Sequence, residues 1–425
     1  MATIESSRLD QELTLPAFLN DPYPLYHRLR AVDPVHWSDA WDCWLLTRYD
    51  DVTTALRDSK RFSSVGTTER FLQQLPAAAL GELQPLYEHF TSGMVRRDPP
   101  EHTRIRSLTN KAFTPRVVES LRRRIEDLVN ELIDAFQARG RCDLISEFAY
   151  PLPAQVFAGL IGFPLKDCDR FKAWSVQIAA FHGTGRADPR IATESQHALL
   201  EARRWLSELV DERRLRPRDD LLTRLVQAET EGERLSESEM FSTCVTFMIG
   251  GHETTTNLIG NGLLALLQNP DQRSLIQQNL NSVESAVEEL LRYDAPTQRA
   301  HRIAAADIKL RGKTIRKGDF VQAVLGAANR DPERFSNPDH LDILRQNNHH
   351  VSFGGGPHYC VGAPLSRLEA QIAIAILFRR LSNLRLAPDE LPALSANNFF
   401  RGRTKIPLVF DSPSPSSKAL TETWD

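Results

Sequence analysis

Residues Phe353 to Gly362 read "FGGGPHYCVG", three adjacent glycines followed by one of only five cysteines in the chain. Glycine lets a backbone turn tightly and approach another body closely. The next stretch, Ala363 to Phe378 ("APLSRLEAQIAIAILF"), carries a helical pattern. Cys360 is therefore expected just before a helix N-terminus, where unpaired N–H groups and the positive end of the helix dipole favour a thiolate. A thiolate in such a place binds metal or attacks a substrate. An isolated cysteine is more often a small buried residue in a capping turn, so the decision rests on what surrounds it.

The chain has 425 residues, 41% of them apolar and 25% charged, with a net charge of -3. That balance is ordinary for a globular protein and lacks the basic excess of a nucleic-acid binder. The start, "MATIESSRLDQELTLPAFLNDPYP", has no basic segment leading into an apolar core, and no apolar run approaches the ~18 to 20 residues needed to span a bilayer. A cytoplasmic protein with no membrane span is expected. Cys43, Cys142, Cys168, Cys244 and Cys360 are scattered and odd in number, which reads as reduced thiols rather than a disulfide framework.

Most of the chain is helical by period. Val283, Val287, Leu290 and Leu291 share one helical face, and Leu199 to Arg214 is amphipathic in the same way. Strand-like pieces are expected at Pro34 to Thr47 and Ile308 to Val324, the latter with Gly312 and Gly318 at turns. The fold class is mainly α with a small β-rich portion. No repeat or linker divides it, so residues 1–410 are expected to form a single domain, followed by a flexible tail over 411–425 ("DSPSPSSKALTETWD"). Arg330 to Phe353 is irregular and too long for an ordinary connection; such segments are usually functional or hold a large ligand.

A longer helix is bounded by a capping-box pattern at Ser236 and Glu239 and by Asn269-Pro270, about 30 residues later. Its middle reads "IGGHETTTN", Ile249 to Asn257, where two glycines cost ~1 kcal/mol each relative to alanine. Close packing of another helix against Gly250 and Gly251 is one reason for such weakness. A carboxylate and a hydroxyl placed beside a local opening of the helix, able to relay protons into a dry site, is another.

These stretches together resemble the cytochrome P450 superfamily. "FGGGPHYCVG" is similar to its Phe-x-x-Gly-x-x-x-Cys-x-Gly loop, in which the thiolate is the axial ligand of heme iron. The resemblance implies Cys360 as the metal ligand and Phe353 as a cofactor neighbour. "GGHETT" resembles the Ala/Gly-Gly-x-Asp/Glu-Thr-Thr/Ser motif of the helix across the heme. By it Gly251 borders the cofactor, Glu253 is the acid, and Thr254 is the alcohol facing bound dioxygen. "DPPEHTRIR" is close to the bacterial Asp-Pro-Pro-x-His-x-x-x-Arg pattern, which with "RAHRIA" and the cysteine loop implies His102, Arg106, Arg302 and His358 as partners of the heme propionates. Glu289 and Arg292 in "EELLRYDAP" lie opposite the apolar stripe and read by period as a solvated pair. The family's Glu-x-x-Arg motif implies instead a buried pair tied to the loop before the cysteine. Its third member is an arginine, and the best-matching position is His340.

The fold implied is the cytochrome P450 fold, a triangular helical prism around a buried heme b. The function implied is that of a heme-thiolate monooxygenase inserting one oxygen atom from O2 into an apolar small molecule, by hydroxylation or epoxidation, in secondary metabolism. A peroxide-driven or isomerase-type heme-thiolate enzyme is the alternative, but such members generally lose the acid-alcohol pair. A heme-binding sensor would need a signalling module that the sequence does not suggest. A zinc site built from His349, His350, His358 and Cys360 lacks the usual ligand spacing. With no flavin or iron–sulfur pattern in the chain, the implied electron donors are a ferredoxin and its reductase, docking on the cysteine side where Arg104 and Lys111 add positive charge. The protein is expected to be a monomer. Ser63 to Val95, Phe247, Ala295 to Gln298 and Phe399 are the segments implied to line the substrate pocket.

Overall fold

In the computed structural model, which describes residues 2–181, 187–228 and 232–412, the capping box forms as written in the sequence. Ser236 Oγ accepts from the Glu239 N–H at 3.3 Å while Ser236 N–H donates to the Glu239 carboxylate at 2.8 Å. The helix they open runs Glu237–Gln268, 32 residues or about 48 Å, and ends at Asn269 before Pro270. It is buried on most of its surface from Leu258 to Leu266, because helices Pro151–Ile161, Ala363–Arg380 and Val283–Tyr293 pack around it. A rod with apolar residues on all sides is stable only inside a bundle.

The helix after the cysteine loop, Ala363–Arg380, begins with a proline in its first turn, where the missing N–H costs nothing. It lies against Arg122–Gln137 as well as the long helix. The helix Pro189–Leu215 contains the amphipathic Leu199 to Arg214 segment and packs on Cys168–Ala180. No described helix is long and apolar enough to cross a membrane.

The larger sheet has five strands in the order Val35–Ser38, Cys43–Leu46, Phe320–Val324, Arg299–Ala304 and Phe62–Ser63. Trp44 pairs in parallel with Val321, and Arg299 pairs antiparallel with Val324. One face joins the main core through Cys43, Leu45 and Phe320; the other closes a second cluster with Val52, Leu56 and Val321. The expected strands at 34–47 and 308–324 are present. Within the latter, Ile308–Leu310 and Lys313–Ile315 form a hairpin whose central residues Arg311 and Gly312 have φ of 48° and +77°, the combination that makes glycine favourable there. The strand Arg299–Ala304, fourth of the five, lies outside the strand segments expected from the sequence. Two buried arginines replace the apolar alternation that would have marked it. The segment Ser63 to Val95 is folded as well, into Thr67–Leu72, Ala77–Leu80 and Gln84–Ser92. The expected tail lies, from residue 413 on, outside the described residues.

Candidate active site

A cavity of about 360 Å³ lies between the cysteine loop and the long helix. Two of the loop's glycines have definite work. Gly354 and Gly356 have φ of +73° and +61°, and a Cβ on Gly356 would stand 2.7 Å from the Leu56 carbonyl oxygen. The chain is thereby folded back so that Cys360 N–H reaches Phe353 O at 2.9 Å. Cys360 opens onto the cavity and is otherwise enclosed by protein. That enclosure raises its thiol pKa, against the pull of the Gly362 and Ala363 N–H groups and of Arg106 and Arg367. The helix-terminus donors expected to favour a thiolate are therefore present, but burial outweighs them in the protein alone. A bound metal cation reverses that balance, since a coordinating thiol is deprotonated.

Arg367 grips Glu288 with two bonds of 2.6 and 2.8 Å and stacks its guanidinium 4.5 Å from the Phe353 ring, fixing the wall below the cysteine. Burial alone would raise Glu288; hydrogen bonds from Arg367 and His350 bring it down to about 2. Among the described residues no group of three or more His, Cys, Asp or Glu is placed to hold a metal ion, so the zinc alternative has no ligand set.

Across the cavity the long helix presents Gly250, Gly251, Thr254 and Thr255. A Cβ on Gly251 would meet Phe157 at 2.9 Å, whereas one on Gly250 would meet nothing within 4 Å. Close helix packing thus accounts for Gly251, and Gly250 leaves open space. The helix is unbroken through this stretch, in contrast to the expected local opening. Thr254 Oγ1 donates to Gly250 O at 2.7 Å, a bond that parks the hydroxyl on its own helix. Thr255 Oγ1 donates to Ser366 Oγ at 3.1 Å and ties the two walls together. Glu253 does not line the cavity. Burial raises its carboxyl to about 7, and its Oε2 is buried without a partner.

At the edge of the cavity positive charge collects. His102 and His358 have ring centroids 4.3 Å apart, His358 Nε2 is 3.0 Å from Ser64 Oγ, and His102 Nδ1 is buried without a partner. Arg106 donates to Tyr359 O at 2.7 Å. Arg302 is buried beside this group without lining the cavity and donates to His301 O at 2.7 Å. Arg96, which sequence reasoning missed because no spacing marks it, donates to Thr67 Oγ1 at 3.0 Å. Burial lowers both Arg96 and Arg302 to about 10. His358 is pushed down to about 2 by burial and then by Arg302, His102, Arg96 and Arg106. Among the described residues, Asp98 is the carboxylate that acts on Arg302 and His102 in return. A buried excess of cations beside an open cavity, with an orphaned imidazole nitrogen in it, fits a ligand that brings two negative charges. The residues present therefore suit a heme with its two propionates.

The Glu289–Arg292 pair is fully buried, not solvated. Arg292 makes two bonds of 2.7 Å to Glu289 and donates to the carbonyl oxygens of Asn329, Pro338 and His340. The third member is Arg345, whose Nε lies 3.1 and 3.2 Å from the Glu289 oxygens; His340 contributes only its backbone carbonyl. Asn348 and the Asp342 N–H complete the carboxylate's partners. The expected His340 is corrected to Arg345, which lies five residues further into the loop and could not be ranked by spacing.

Of the expected pocket segments, Phe247, Pro296, Thr297, Met94 and Val95 line the cavity. Gln298 turns away to donate to Ala295 O at 2.7 Å, and Phe400 rather than Phe399 forms the wall. Arg104, expected on a docking face, is partly exposed and paired with Glu239 and Glu233.

A family profile described as Cytochrome P450 matches residues 190–395. Cytochrome P450 107B1 of Saccharopolyspora erythraea is 40% identical over 398 residues, covering 92% of this chain and 96% of that protein. Cytochrome P450 monooxygenase PikC of Streptomyces venezuelae is 38% identical over 400 residues, covering 92% and 91%. The solved structure of P450BioI, in complex with an acyl carrier protein carrying hexadec-9Z-enoic acid, superimposes with a TM-score of 0.86 at 37% identity, over 93% of this chain and 99% of that one. With 40% identity over 92% of its length and a TM-score of 0.86 to a solved relative, the chain belongs to the cytochrome P450 family of heme b monooxygenases.

Proposed function

We propose that this protein inserts one atom of O2 into an apolar small molecule, by hydroxylation or epoxidation, in secondary metabolism. The observation that carries this reading is that one cavity is bounded by Cys360, by Gly250, Gly251 and Thr254, and by the guanidinium of Arg106 with the imidazoles of His102 and His358. Cys360 would hold the iron through its thiolate, and Phe353 and Gly251 would flank the macrocycle. His102, Arg106, Arg302 and His358 would pair with the propionates. When bound, the heme supplies dioxygen activation with two externally delivered electrons, and thiolate ligation favours O–O cleavage.

The chain's own contribution is placement, dryness and protons. Thr254 lines the cavity, and rotation of its Oγ1 away from Gly250 O frees its proton for a bound reactant. Glu253, adjacent in the chain and held at about 7, is suited to reload that hydroxyl at neutral pH. Phe113, Phe247 and Phe400 give the wall its apolar character. A ferredoxin and its reductase would supply electrons on the side of Tyr359, which is 40% exposed with Arg106 and Arg367 bonded to it. The protein would act as a monomer and a single domain.

Turnover of an apolar compound under oxygen-18 gas, with ferredoxin and reductase present, should give product bearing one labelled atom. Product labelled from water, or turnover that needs peroxide and ignores the electron donor, contradicts the reading and favours the peroxide-driven alternative.

A further inference from the structure

Arg299 is a buried guanidinium with no carboxylate partner among the described residues. Its residue lies in the cavity wall between Thr297 and Ala300. The guanidinium itself is sandwiched, 4.3 Å from the Trp41 ring centroid and 5.9 Å from that of Phe399. One of its donors reaches Asn398 Oδ1 at 2.6 Å, while Nε and Nη1 have no acceptor. Ring faces satisfy part of a cation, but five N–H groups in a dry place demand acceptors. The neighbouring polar groups do not provide them. Tyr26 Oη is buried without a partner as well, and the Gln322 amide on the adjacent strand interacts with the Cys43 thiol. A void of about 20 Å³ touched by Tyr26, Gln298 and Asn398 adjoins the same place.

Unlike Arg96, Arg106 and Arg302, Arg299 does not belong to the cationic cluster at the cavity edge. No group of that cluster acts on it, and it faces the main core rather than Arg302. Its covers belong to two turns, Trp41 between the strands Val35–Ser38 and Cys43–Leu46, and Phe399 between Ala393–Leu394 and Arg403–Lys405. Turns are the parts of a fold that move apart most readily.

We propose that Arg299 is a specificity-determining residue that receives the carboxylate of a substrate whose apolar body extends past Thr297 and Ala300 into the cavity. The carboxylate takes the place of the Asn398 amide and accepts from the guanidinium in the bidentate manner that planar fork allows. This rests on the monooxygenase reading for what happens at the far end of the substrate, but binding at Arg299 needs no turnover.

The test is equilibrium calorimetry on the heme-loaded protein with dodecanoate and with methyl dodecanoate, no electron donor present. The wild-type protein should bind the acid at least about tenfold more tightly than the ester, the difference a charge-assisted hydrogen-bond pair makes. In Arg299→Gln that ratio should fall to near one with ester binding unchanged, and Arg299→Lys should restore part of it. An acid-to-ester ratio near one in the wild-type protein overturns the proposal, whether or not any variant folds. A ratio that survives in a folded Arg299→Gln does the same. Either failure leaves oxygen incorporation from O2 untouched, so the two readings stand or fall separately.

Discussion

Single residues decide where protons go. Thr254 lines the cavity and can release its hydroxyl from Gly250 O, so Thr254→Ala should keep consuming reducing equivalents while product per equivalent falls roughly tenfold, with peroxide or water made instead. Fully coupled product formation by that variant contradicts the relay. Glu253 makes a prediction about stability. Its folded pKa of about 7 lies above the ordinary 4.5, so the folded state holds an extra proton between those values. The stability this contributes is whole below about pH 4.5 and is lost as pH rises through 7, by up to about 3 kcal/mol. Glu253→Gln should lack that slope when unfolding is followed in denaturant at pH 5 and pH 8; an unchanged slope means the carboxyl is not buried as described. Residues of this kind were legible because they sit in contiguous patterns with fixed spacing. Arg96, Arg299 and Arg345 were not, because an arginine's partner is chosen by the folded chain and nothing local distinguishes a buried arginine from a solvated one.

At the level of elements, the irregular segment between Arg330 and Phe353 is held by one carboxylate. Glu289 collects Arg292, Arg345, Asn348 and the Asp342 N–H, and Arg292 reaches on to two carbonyls of the segment, Pro338 and His340, and to that of Asn329 just before it. Arg292→Leu leaves Glu289 buried with part of its network gone and should cost about 3–5 kcal/mol, while Arg345→Ala should cost about 1–3. His340→Ala, which keeps the only atom His340 contributes, should stay within about 0.5 kcal/mol. Melting curves of the three variants check the ranking, and a large loss at His340 would reverse the correction. The long helix was readable to within a residue because its capping box and its Asn-Pro stop are local chemistry. Its unbroken course through the two glycines was not, since that depends on Phe157 filling the space beside Gly251. The opposite periodicity argument at Glu289 misled for a related reason: the face opposite an apolar stripe is solvated only if nothing else packs there, and here the loop does.

For the molecule as a whole, the fold builds a cavity of about 360 Å³ and a set of buried cations that the protein does not itself neutralise. Both features burden the heme-free chain. Removing heme should therefore lower the melting temperature by roughly 10 °C and raise hydrogen exchange at Glu101–Ala112, which carries Arg106, and at the cysteine loop, which carries His358. Equal melting of the loaded and heme-free proteins would mean that the cluster serves some other charge. The mainly helical class was evident from period alone, but the five-stranded sheet was only half visible. Its strand Arg299–Ala304 pairs with the edge strand Phe62–Ser63 and the central strand Phe320–Val324, pairings between distant parts of the chain that no local pattern announces. The measurement that tests the central claim most directly is the carbon-monoxide difference spectrum of the reduced protein, with Cys360→Ala beside it. The account predicts a red-shifted, thiolate-type band in the wild-type protein that is absent from the variant. A histidine-type band in both, or heme binding unaffected in position and spectrum by loss of Cys360, would contradict it.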